Sequence, residues 1–152
     1  MSVKPVPDGY HTITPYLFVK GAAGAMEFYK KAFGAEELLR FPGQDGKVGH
    51  AELKIGNSVV MLADEYPEMG FKSPTTLGGP GFSMLVYVEN VDVAFKQAIA
   101  AGATEIRPVK DEFYGDRVGT LKDPFGHIWS IATHKEDVTP EEMHRRAAAQ
   151  KV

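Results

Sequence analysis

Apolar and polar positions alternate along this chain in two rhythms, and the pair of rhythms is written twice. Tyr16-Leu-Phe-Val-Lys-Gly leads into Ala25-Met-Glu-Phe-Tyr-Lys-Lys-Ala-Phe-Gly34, and Leu85-Val-Tyr-Val-Glu-Asn90 leads into Val93-Ala-Phe-Lys-Gln-Ala-Ile-Ala-Ala-Gly102. Each is an apolar strand followed by an amphipathic helix that stops at a glycine. A repeat period of roughly 70 residues implies two similar halves. In the first, a strand is predicted over 13–20, and Ala25, Met26, Tyr29, Ala32 and Phe33 mark one face of a helix. Three strands follow near 36–42, 47–55 and 58–63, with turns at Asp45-Gly46 and Gly56-Asn57. In the second, a strand covers about 82–88. Asn90 caps a helix whose buried face is Val91, Ala94, Phe95, Ala98 and Ile99. Strands near 104–110, 114–122 and 128–134 complete it, the last two joined by the turn Asp123-Pro-Phe-Gly126.

Outside the repeats, residues 1–12 form an arm in which Pro5 and Pro7 oppose regular structure. Residues 64–80 form a connecting loop rich in proline and glycine that carries Tyr66, Met69 and Phe71, side chains able to pin the loop or to cover a pocket. Thr139-Pro140-Glu141-Glu142 reads as a capping box, so a short helix covers 140–149 within a C-terminal segment 135–152. The modules are thus 13–63 and 81–134, each β-α-β-β-β, and the fold class is α+β.

Composition narrows the function classes. The 152 residues carry a net charge of -3 with no basic patch, which argues against nucleic acid as a partner. There is no cysteine, so disulfides, thiolate metal sites and a cysteine nucleophile are excluded together. No apolar run reaches the roughly 20 residues of a membrane span. A soluble cytoplasmic protein without a membrane partner is expected.

Candidate chemistry concentrates in Val48-Gly-His-Ala-Glu-Leu-Lys-Ile55. Strand alternation puts His50, Glu52 and Lys54 on one face and Ala51, Leu53 and Ile55 on the other. The apolar face should meet a helix, leaving His50 and Glu52 as a structural or solvated pair, a ligand contact, an acid/base pair, or half of a metal site. His127 is expected to be exposed after its turn, Trp129 to be core, and His134 to end the last strand. His11 and His144 fall in the flexible ends. No phosphate-binding glycine loop, nucleophile elbow or paired-carboxylate motif is present.

Pro15-Tyr-Leu-Phe-Val19, Glu27-Phe-Tyr-Lys-Lys-Ala-Phe-Gly34, Gly49-His-Ala-Glu-Leu53 and Asp123-Pro-Phe-Gly-His127 with Trp129 resemble the vicinal oxygen chelate superfamily. This is the group of glyoxalase I, bleomycin-resistance proteins and extradiol dioxygenases, and the likeness is greatest to its PhnB-like branch. The resemblance implies two βαβββ modules forming an open curved sheet around a cavity, with helices outside. It also implies a homodimer. Metal-dependent members place one His or Glu ligand on the first and last strand of each module. The corresponding positions here are Thr14, Met61, Ser83 and Ser130. Neutral hydroxyls and a thioether are poor ligands for a divalent transition metal, so no metal cofactor is expected.

The same alignment points Thr14, Tyr16, Phe18, Val59, Met61, Ser83, Leu85, Tyr87 and Ser130 into the cavity, a lining suited to a planar or amphipathic organic ligand. Phe113, Tyr114 and Arg117 fall on a hairpin near its mouth, where Arg117 either orients an anionic group or pairs with Asp116, Asp111 or Glu112. The leading expectation is a small, aromatic or amphipathic molecule bound in a metal-free cavity. Two enzyme readings compete with it: a divalent-metal glyoxalase-like lyase/isomerase or dioxygenase with a displaced site at His50 and Glu52, or metal-free general-base catalysis by one of that pair.

Overall fold

The structure, a computed structural model, describes residues 2–150. Met1, at the head of the expected arm, and Lys151 and Val152, at the end of the expected tail, lie outside them. The described residues divide into two compact units, one of residues 2–81 with Pro124–His127 and one of Phe82–Asp123 with residues 128–150.

The first unit contains β1 (Tyr16–Val19), α1 (Ala22–Phe33), β2 (Glu36–Pro42), β3 (Val48–Ile55) and β4 (Ser58–Asp64). Its sheet has the order β1-β4-β3-β2, with β1 parallel to β4 and the other pairs antiparallel. The parallel pair needs a crossover longer than a hairpin, and α1 begins it. Ala22, Ala25, Met26, Phe28, Tyr29 and Ala32 are the buried stripe of α1, while Phe33 is only half-buried. Leu17, Val19, Ala51, Leu53, Val60 and Leu62 alternate onto the α1 side of the sheet and form the core beneath it. β1 is shorter than the predicted 13–20. Pro15 lacks an N–H, so it enters the ladder only through its carbonyl, which accepts from Met61. Ile13 is left exposed.

The loop 64–80 is partly ordered by its own turns. Pro67–Met69 forms a 3-10 turn, and α2 (Pro74–Leu77) is a single helical turn capped by Ser73.

The second unit repeats the topology with β5 (Ser83–Tyr87), α3 (Val91–Ala101), β6 (Thr104–Asp111), β7 (Asp116–Lys122) and β8 (Ile128–His134), in the order β5-β8-β7-β6. Asn90 caps α3 through the Val93 amide, as its position predicts. Val91, Phe95 and Ala98 are buried, but Ile99 is exposed rather than part of that face. Ile99 and Ala100 line an open groove of about 480 Å³ with Phe95 and Val109. Gly119 lets α3 sit close to its sheet, because a Cβ there would meet the Phe95 ring and the Val109 side chain. Gly119→Ala is therefore expected to cost about 2 kcal/mol by overpacking. Urea denaturation checks this, and an unchanged midpoint would mean that α3 shifts freely.

α4 (Pro140–Ala149) starts where its capping box predicts, with the Thr139 hydroxyl accepting from the Glu142 amide. Trp129 is core, as expected, its indole N–H donating to Asp123. His127 corrects an expectation, being buried rather than exposed. The turn before it is part of the first unit, where the Phe125 ring fills the space over Gly24, and the imidazole Nε2 donates to the Phe18 carbonyl at 3.3 Å. No helix among the described residues is long and apolar enough to cross a membrane.

Candidate functional site

The side of the first sheet away from α1 carries a hydrogen-bonded chain of four side chains, assembled by strand register. Tyr16 on β1 pairs with Met61 on β4, Met61 with Glu52 on β3, and His50 lies opposite Phe41 on β2. The Tyr16 hydroxyl is 2.8 Å from His50 Nδ1, and His50 Nε2 is 2.7 Å from Glu52 Oε2. The other oxygen of Glu52 accepts the hydroxyl of Tyr10, which reaches over from the N-terminal arm.

Glu52 is buried. Desolvation pushes its pKa up, but the Tyr10 hydroxyl and the His50 imidazole together outweigh that and hold the carboxyl below its usual range. Glu52 is thus an ionised buried carboxylate with both oxygens satisfied. Its hydrogen bond with Tyr10 raises that phenol, and desolvation followed by the Glu52 charge raises Tyr16. Both tyrosines stay protonated at neutral pH.

Aromatic rings surround this chain. Tyr16 and Phe18 lie with centroids 5.2 Å apart, Phe71 stacks on Phe18 at 4.9 Å, and Phe41 lies parallel to the His50 ring at 6.4 Å. Tyr16 is 37%, Phe41 58% and Phe71 43% exposed, so the face is open. Phe71 reaches it from the loop, which Glu65 fastens through the Ser73 amide and the Thr76 hydroxyl.

Thr14 precedes β1 and donates to the His11 carbonyl at 3.4 Å. In the second unit, Leu85, Ser130 and Thr120 form one row across β5, β8 and β7, with the Ser130 and Thr120 hydroxyls 2.9 Å apart. Ser83 and Leu85 are exposed. Tyr87 donates to Asp116 at 2.8 Å, and Asp116 also meets His134 Nδ1 at 2.7 Å. His134 is held above its ordinary pKa by Asp137 first and Asp116 second. Phe113 and Tyr114 pack edge to face between β6 and β7. Arg117 stands with Gly119 and Leu121 on the α3 side of β7. It is gripped at 3.0 Å through two nitrogens by Asp92 and at 3.2 Å by Asp111. Asp111 is one of the partners weighed from the sequence; Asp92, on the first turn of α3, is not.

The structure thus gathers His50, Glu52, Tyr16, Phe18 and Met61 on one face and adds Tyr10, Phe41 and Phe71. Phe71 carries a signal in the sequence, as an aromatic residue in a long loop. Tyr10 carries none, because an arm without periodicity gives no register.

The four positions where metal-dependent relatives carry ligands hold Thr14, Met61, Ser83 and Ser130, a donor set that does not fit a divalent transition metal. Among the described residues no three His, Asp or Glu side chains are grouped so as to hold a metal.

This β-α-β-β-β order, repeated with the same strand order, is a fold shared with known proteins. The chain is 44% identical over 141 residues to the uncharacterized protein Mb0911c of Mycobacterium bovis, covering 91% of this chain and 93% of that one. Its fold is similar to that of TioX from Micromonospora sp. ML1, at 27% identity and a TM-score of 0.63 over 82% of this chain and 98% of that one. It also shares the fold of the PhnB protein from Bacillus cereus, at 24% identity and a TM-score of 0.64 over 81% and 99%. Residues 9–131, which include all four strands of the first sheet and run into β8 of the second, match the family signature, and the chain belongs to the Glyoxalase/Bleomycin resistance protein/Dioxygenase superfamily.

Proposed function

We propose that this protein binds a small planar, aromatic or amphipathic molecule on the open face of its first sheet without a metal ion. The observation that carries the reading is the set of exposed Tyr16, Phe41 and Phe71 rings, with the half-buried Phe18 ring between Tyr16 and Phe71, around a satisfied buried carboxylate. Rings supply large contact area at low conformational cost, and a few fixed polar groups supply orientation. Leu85, Tyr87, Phe113 and Tyr114 are a separate candidate ligand surface on the second unit in this reading, and Arg117, held by two carboxylates, is left out of it. The protein is cytoplasmic and a homodimer in the same reading, the latter checked by sedimentation.

The test is calorimetric titration of planar aromatic compounds into untagged protein, with and without chelator, beside elemental analysis. Binding is expected to be indifferent to chelator, and Phe71→Ala is expected to weaken it about tenfold, on the scale of one aromatic pair. About one metal per chain, with binding lost on chelation, would overturn the metal-free reading.

A second reading rests on the His50–Glu52 contact at 2.7 Å, the geometry of an oriented base. In it the pair moves a proton of an enolisable carbonyl substrate without metal. Turnover unchanged in His50→Gln would eliminate it.

A further inference from the structure

The hydrogen-bond chain on the first sheet has a direction, and the direction selects the ligand. An ionised carboxylate only accepts hydrogen bonds. Glu52 therefore receives the Tyr10 O–H on one oxygen and the His50 Nε2–H on the other. A neutral imidazole that donates from Nε2 has a bare Nδ1, which must accept. Among the described residues, the hydroxyl bonded to it is that of Tyr16, at 2.8 Å. The Tyr16 proton is thus turned inward, and its oxygen presents lone pairs alone to the open face. The flanking Phe18 ring, with Phe71 stacked on it, supplies a flat apolar platform beside that oxygen.

We propose that Tyr16 is the specificity-determining residue of this face, and that its hydroxyl oxygen, fixed as an acceptor, selects planar ligands that carry an O–H or N–H donor at their edge. This rests on the binding reading above and adds the ligand's polarity to it. Glu52 and His50 are positioning residues that act through Tyr16. The depressed pKa of Glu52 agrees with the direction of the chain, since the carboxylate at its end stays ionised.

The experiment compares a naphthol with its methyl ether, which has the same rings and no donor. Both are titrated calorimetrically into the full chain at about pH 8, below the roughly pH 10 at which a phenol ionises. The naphthol is expected to bind about tenfold more tightly than the ether, the scale of one hydrogen bond. In Tyr16→Phe that advantage should vanish while the ether's affinity stays within about twofold, since the ring platform is kept. A preference for the ether in the parent protein would mean that Tyr16 donates, and would overturn the proposal. So would a naphthol preference that persists in Tyr16→Phe. Equal binding of both probes also overturns it but leaves the aromatic binding face standing. Failure of both to bind would remove the binding reading, and the proposal with it.

Discussion

Replacing Asp64 by alanine is expected to destabilise the protein by about 4 kcal/mol, as two buried donors and a part-buried one lose their shared acceptor. The Asp64 carboxylate receives the amides of Gly21 and Ala22 at 2.9 Å each and that of Val48 at 2.8 Å. Gly21 stands at the N-terminus of α1 and has no side chain to cap it. The cap arrives instead from the last residue of β4, and its charge faces the positive end of the helix. Ala22 and Val48 are buried, so water cannot take over the role. For a chain of this length the loss corresponds to a fall in melting temperature of about 10 °C or more. Asp64→Asn keeps one carbonyl oxygen and is expected to lose about half as much. Thermal and urea denaturation of both variants check this. An alanine variant within about 1 kcal/mol of the parent would mean that the end of α1 is satisfied by another group.

Asp64 also marks where the sequence stops being legible. Local signals located the elements well. The start of α4 was readable because Thr139, Pro140 and Glu142 carry its cap within one turn. The two βαβββ halves were readable because the helices of 12 and 11 residues show a 3.6-residue period and the same order of elements recurs. The same alternation put His50 and Glu52 on one face, and they do meet. What failed to show depends on partners far along the chain. Tyr16 joins His50 only because β1 and β3 both lie against β4 in one register. Tyr10 comes from an arm with no pattern. His127 looked like an exposed turn residue because nothing nearby in sequence shows that Phe125 docks over Gly24. Arg117 found Asp92 across the α3–β7 contact, a choice set by packing and not by spacing.

Glu65 carries the second large effect and ties stability to the candidate site. It is buried, and it accepts the Ser73 amide at 2.8 Å and the Thr76 hydroxyl at 2.8 and 2.9 Å on its two oxygens. Those bonds close the loop whose Phe71 stacks on Phe18. Glu65→Ala is expected to cost about 3 kcal/mol, since the fully buried Ser73 keeps its amide without an acceptor. The loop should become a site of early proteolysis, and affinity for planar ligands should fall as Phe71 loses its anchor. Desolvation raises the pKa of Glu65, but the Ser73 amide and the Thr76 hydroxyl, helped by Lys20, outweigh it and hold the carboxyl below its ordinary range. A depressed folded-state pKa stabilises fully above the unfolded value of roughly 4.3 and fades as the pH falls through the folded value. The stability gap between the parent and Glu65→Gln should therefore be level near neutral pH and shrink on acidification below that point. Urea denaturation across that range reads it directly. A gap that widens towards acid would mean that Glu65 is held protonated, and that the loop is fastened by a neutral carboxyl instead of a charge.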